Sequence, residues 1–71
     1  MRCKFICIQI IEYTTMYNYN FSPVCSTDPD NENKAFWDDT PSGGLQFSIK
    51  KSRGKLFTVG TEYYIDISEY P

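Results

Sequence analysis

RCKFICIQIIEY (residues 2–13) followed by YNYNFSPV (17–24) decides the fold class. In the second segment Tyr17, Tyr19 and Phe21 alternate with Asn18 and Asn20. A period of two with one apolar face is the pattern of a half-buried antiparallel strand. Pro23 ends that strand or marks an edge. In the first segment Ile6, Ile8 and Ile10 fall on one face, and Cys3, Phe5, Cys7 and Ile11 on the other. Apolar residues on both faces predict a strand that is central or covered on both sides.

Working outward, LQFSIK (45–50) alternates Leu45, Phe47 and Ile49 against Gln46, Ser48 and Lys50. KSRGK turns the chain at Gly54, LFTV (56–59) reads as a short strand, Gly60-Thr61 as a turn, and EYYIDI (62–67) as the last strand. Residues 26–44 break the alternation. Thr27 or Asp28 followed by Pro29 is helix-start chemistry, which leaves room for one helical turn at Asn33–Trp37. Thr40-Pro41-Ser42-Gly43 is a turn sequence. The expected fold is therefore all-β or mainly β: a small five-stranded antiparallel barrel or sandwich, in one domain spanning residues 1–71, with one long loop.

A chain of 71 residues buries only about 60% of its unfolded surface. Such scaffolds lean on a disulfide, a metal or a partner subunit. Cys3, Cys7 and Cys25 are odd in number, and no secretory signal is read, so reduced thiols are expected. Cys3 and Cys7 share one strand at a spacing of roughly 13 Å, too far to bridge. The chain has no His, and three Cys at these spacings do not resemble a zinc site. No cofactor, metal or membrane span is expected. The remaining route to stability is self-association, so a homo-oligomer is expected. One self-complementary arrangement sets the basic turn of one subunit against residues 28–39 of another.

Net charge is −2, which makes a general nucleic-acid binder unlikely on electrostatic grounds. The charge is nevertheless segregated. Asp28, Asp30, Glu32, Asp38 and Asp39 face Lys34 alone in one stretch, and KKSRGK (50–55) gathers Lys50, Lys51, Arg53 and Lys55. That turn reads either as a solvated hairpin tip or as an anion site. ENKAFWDDTPSGG (32–44) holds the single tryptophan. Its plain role is to plug one end of the fold. Its binding role would use Trp37 for stacking, Asn33, Thr40 and Ser42 for hydrogen bonds to a base, and Lys34 with the backbone N–H of Gly43 for phosphates. Asp38 and Asp39 are adjacent and would diverge on a strand, and no Ser or Cys has a base beside it in sequence, so no enzyme is expected.

At ENKAFWDDTPSGGLQFSI (32–49) and FTVGTEYYIDI (57–67) the chain resembles a family of small uncharacterised proteins of tailed bacteriophages. The shared features are an extended N-terminal strand, an Asn-Lys-aromatic stretch, a Thr-Pro-Ser-Gly turn and a Phe…Gly…Glu-Tyr-Tyr ending. The resemblance covers most of residues 2–68 and implies a phage origin, expression in the host cytoplasm, and no catalytic residue. KKSRGK departs from it in being strongly basic. The functional expectation is a non-enzymatic binding protein in the infected cell, sequestering a nucleotide immune signal or inhibiting a host defence protein. The alternatives are a minor virion decoration or cement protein and a single-strand nucleic-acid binder.

Overall fold

β1 (Arg2–Glu12), β2 (Met16–Pro23), β3 (Leu45–Lys50) and β4 (Glu62–Asp66) form one antiparallel sheet in the order β3-β2-β1-β4. The computed structural model describes residues 2–25, 33 and 42–70. The fold is all-β, and the sheet curls into a half-barrel. Four strands stand where five were expected among the described residues. Residues 55–61 form a loop and turn in place of the strand read at LFTV.

β1 is central in the sheet, as its apolar character predicts. Its register against β2 shifts between Cys7, which faces Phe21, and Gln9, which faces Asn20. Ile8 is the extra residue of this bulge and is 55% exposed. A bulge exchanges the two faces of a strand beyond it. Cys3, Phe5 and Cys7 therefore point into the core before the bulge, and Ile10, opposite Tyr19, joins them after it. The phase change accounts for Ile10 on the inward face, while Ile6, Ile8 and Ile11 stay outside the core.

The core is Cys3, Phe5, Cys7, Tyr19 and Phe21, with Tyr17, Leu45, Ile49, Tyr63 and Ile65 around it. Phe57 covers this face from the 55–61 loop. Its ring meets Tyr19 and Phe21 edge-on at 5.0 Å each and Tyr63 at 5.2 Å. The chain on either side is tethered to the sheet: Leu56 N–H donates to Tyr19 Oη at 3.2 Å, and Thr58 N–H to Tyr63 Oη at 3.0 Å. The Thr58–Thr61 turn follows, closed by Thr61 N–H to Thr58 C=O at 3.2 Å. It needs a positive φ at its third position, which Gly60 supplies at 89°. Gly60 N–H and Thr61 C=O then bond Cys7, starting the β1–β4 ladder.

On β2 and β3 the opposite face is polar. Asn18, only 4% exposed, accepts from Asn20 Nδ2 at 2.9 Å and Gln46 Nε2 at 3.0 Å and donates to Ser48 Oγ at 2.9 Å. One carboxamide thus ties β2 to β3 with its donor and acceptor both used.

Truncation of Phe57 to Ala is expected to destabilise the fold by about 3 kcal/mol, the lower end for a buried aromatic because Phe57 is half-buried. Tyr19→Phe, which strands the Leu56 N–H, should cost about 1 kcal/mol. Urea unfolding midpoints check both. A Phe57→Ala midpoint equal to wild type would show that the loop does not close the core.

Candidate functional site at the basic turn

The basic residues follow β3 directly. Lys51–Arg53 form a single 3-10 turn that ends at Gly54, whose φ of 76° lets the chain reverse; Gly54 N–H bonds Lys51 C=O at 2.8 Å. Lys51 N–H donates to Thr15 C=O at 3.0 Å, which fastens the turn to the β1–β2 hairpin. This places it beside Glu12 and Tyr17. Lys51 Nζ reaches Glu12 Oε2 at 2.7 Å and lies 5.4 Å from the centre of the Tyr17 ring. Lys55 Nζ lies 5.9 Å from the same ring. Two ammonium groups therefore lie on one aromatic ring, within the reach at which a ring quadrupole attracts a cation. Lys50, Arg53 and Lys55 are exposed on this turn. Lys51 pairs with Glu12, and Lys50, Arg53 and Lys55 add exposed cations on the same turn, so this end of the sheet is positive although the chain is acidic overall.

A second cationic-aromatic cluster lies on β1 and β4. Arg2 sits 4.9 Å and Lys4 5.4 Å from the Tyr64 ring. Here the charges are balanced: Arg2 Nε pairs with Asp66 Oδ1 at 2.8 Å, and Lys4 Nζ with Glu62 at 3.9 Å. The shallow groove between Lys4, Glu62, Tyr63 and Tyr64 holds about 230 Å³, below the range of roughly 300–1,000 Å³ usual for small-molecule pockets. The basic turn is the better anion site of the two.

Asn33, expected to contact a ligand, is 1% exposed and serves the fold. Its carboxamide takes the Lys4 N–H and donates to Lys4 C=O at 2.6 Å and Val24 C=O at 3.0 Å. Val24 N–H still reaches Lys4 C=O at 3.1 Å. The Asn33 amide thus enters the end of the β1–β2 ladder where Lys4 and Val24 would otherwise exchange a second bond. A side chain that is isosteric with a peptide unit suits that place. Asn33 therefore has a structural use in the sheet. Ser42 and Gly43 are exposed just before β3. Lys34, Trp37 and Thr40 lie outside the described residues.

The described residues of the expected site do not converge within one chain. Asn33, Ser42 and Gly43 belong to the sheet end near Val24 and Leu45, and Lys50, Lys51, Arg53 and Lys55 to the other end. The six residues of β3 separate the two sets by roughly 20 Å at the rise of a strand. One nucleotide cannot touch both sets in one chain. Tyr17 and Glu12, which were not read as site residues, are the groups the fold brings to the lysines. Their signal was hidden because Tyr17 fits the inward alternation of β2 and Glu12 follows a bulge.

Compared with known protein families, curated proteins and solved structures, the chain matches none. No helix among the described residues is long and apolar enough to cross a membrane.

The hydrogen bond from Lys51, then its charge, holds the Glu12 carboxyl below its ordinary value. The Arg2 hydrogen bond does the same for Asp66. A lowered carboxylate contributes stability above its unfolded value, near pH 4, and loses it as pH falls through the folded value. Glu12→Gln should therefore flatten the acid limb of melting temperature against pH below about pH 4, while changing little near neutrality because the pair is exposed. An unchanged acid limb would show that the Lys51 pair is not formed in solution. Among the thiols, Cys25 is exposed, whereas Cys3 and Cys7 are buried. Burial, with the nearby Asp66 charge, pushes the Cys3 thiol up. Alkylation of the native protein should label Cys25 first, and peptide mass mapping reads the order.

Proposed function

We propose that this protein is a non-enzymatic binding protein that captures a phosphate-bearing small molecule, a nucleotide in the first instance, at the basic turn 50–55. The phage resemblance of residues 32–49 and 57–67 extends this reading to the cytoplasm of an infected host, where a nucleotide immune signal is a ligand of the right chemistry. The observation that carries the reading is the convergence of Lys51 and Lys55 on the Tyr17 ring, beside exposed Lys50 and Arg53.

Cations crowded on one ring repel one another. A phosphate group would relieve that repulsion and accept charge-assisted hydrogen bonds from them. Arg53 adds a planar fork suited to two phosphate oxygens. The ammonium groups already lie over the Tyr17 ring, so phosphates anchor the ligand there and the base does not need to stack on it. The backbone of the turn is fixed at Lys51 and Gly54, so little ordering is required on binding. A long single strand fits less well, because the positive surface is confined to one short turn and the chain as a whole is acidic.

A thermal-shift panel of mono-, di- and cyclic nucleotides with inorganic phosphate tests this. A ligand at about 100 times its dissociation constant should add about 2.7 kcal/mol of stability. The shift should fall with added salt and disappear in Arg53→Ala/Lys55→Ala, which leaves the Lys51–Glu12 pair in place. No shift at millimolar nucleotide, or a shift indifferent to the double substitution, would overturn the reading.

A further inference from the structure

β3 is an outer strand of the sheet, and among the described residues nothing pairs with its far side. Two bonds establish which of its backbone groups face outward. Val24 N–H bonds Lys4 C=O, so the even residues of β2 turn toward β1 and its odd residues toward β3. Lys51 N–H bonds Thr15 C=O, so the odd residues of β3 turn toward β2. Phe47 and Ile49, opposite Tyr19 and Tyr17, are therefore satisfied inside the sheet. The N–H groups of Gln46 and Ser48 point away from it. Phe47 lies between them on the core face, 40% exposed. An outer strand with free amides and an exposed aromatic is a template for another strand.

We infer that the occupant is a second copy of this chain, joined through antiparallel pairing of the two β3 strands about a two-fold axis at Ser48. This does not depend on the ligand reading above. The register follows from complementarity. With Ser48 opposite its own mate, Gln46 stands opposite Lys50 of the second copy, and Phe47 opposite Ile49. The polar face then meets no like charge, and the core face continues across the junction as an apolar strip. Centring the axis at Lys50 would oppose two lysines directly, which is unfavourable.

The same register has a charge consequence. Antiparallel strands bring the basic turn that follows Lys50 beside the start of β3 in the second copy, where Ser42 and Gly43 lie. In sequence that start follows Asp38 and Asp39. The positive end of one copy meets the Ser42–Gly43 start of β3 in the other twice over, as a two-fold axis requires.

A six-residue edge is small against the roughly 800 Å² per partner of a standard stable interface, so a dimer in the micromolar range is expected. Sedimentation of the full chain from low to high micromolar concentration should show mass rising toward twice 8.3 kDa. Gln46→Lys sets two like-charge pairs across the axis and keeps a donor for Asn18; it should weaken the dimer roughly tenfold. Adding Lys50→Glu should restore it. A measurement without variants uses hydrogen exchange. The Gln46 and Ser48 amides should become protected as concentration rises, while those of Phe47 and Ile49 are protected throughout. A monomer at high micromolar concentration would overturn the inference. So would a dimer in which the Gln46 and Ser48 amides exchange freely, or one indifferent to Gln46→Lys, since either places the interface elsewhere.

Discussion

The fold depends on covering one apolar sheet face with very little chain. Among the described residues the curled sheet has no second layer, and Phe57 is the side chain that the 55–61 loop contributes to close it. Its ring alone would not hold a loop of exposed residues. The tethers are polar: Tyr19 and Tyr63 offer hydroxyl oxygens to the N–H groups on either side of Phe57. Each tyrosine thus has its ring in the aromatic cluster and its hydroxyl on the loop backbone, a use to which an amphipathic ring is suited. The aromatic richness of the chain has a structural purpose here. A loop stitched to a sheet by side-chain hydroxyls replaces a strand stitched by backbone pairing.

That substitution explains which parts of the fold were legible in sequence. β2 and β3 were plain, because Tyr17, Tyr19 and Phe21 and then Leu45, Phe47 and Ile49 alternate without interruption. β1 was legible as a strand but not in its facing. A bulge at Ile8 leaves no mark in a run of apolar residues, and the phase change past Cys7 resembles a strand buried on both sides. LFTV carries the composition of a strand. What displaces it into a loop is the register of Thr61 and Gly60 on Cys7 and the two hydroxyl tethers, all long-range contacts that local pattern does not contain.

The candidate site was legible to a similar degree. The basic turn stood out as a charge cluster, and its position at the end of β3 was correct. The partners Tyr17 and Glu12 arrive from the β1–β2 hairpin, and their register is set by the bulge and by the Lys51–Thr15 bond. Asn33 was singled out for its hydrogen-bonding chemistry, and the fold uses that chemistry internally. Its amide does recognise a hydrogen-bonding edge, but that edge is the chain's own, at Lys4 and Val24. An asparagine in a polar loop gives no local sign of whether it meets a ligand or an open ladder end.

The length of β3 also bears on how so small a protein could assemble a binding site. Within one chain the strand holds the basic turn and the Ser42–Gly43 segment apart, so each is an incomplete set of contacts: cations without hydrogen-bonding loop groups, or loop groups without cations. Antiparallel pairing of two β3 strands exchanges their ends. The basic turn of each copy then lies next to the Ser42–Gly43 segment of the other, and the separation imposed by the strand becomes the means of bringing the two sets together. A chain too short to fold back on itself a second time can complete its site through symmetry, provided the pairing register is the one that places Gln46 opposite Lys50. On that geometry ligand capture and dimerisation would be linked: a phosphate held between the turn of one copy and the loop of the other binds the pair more tightly than either chain, and by linkage draws two chains together.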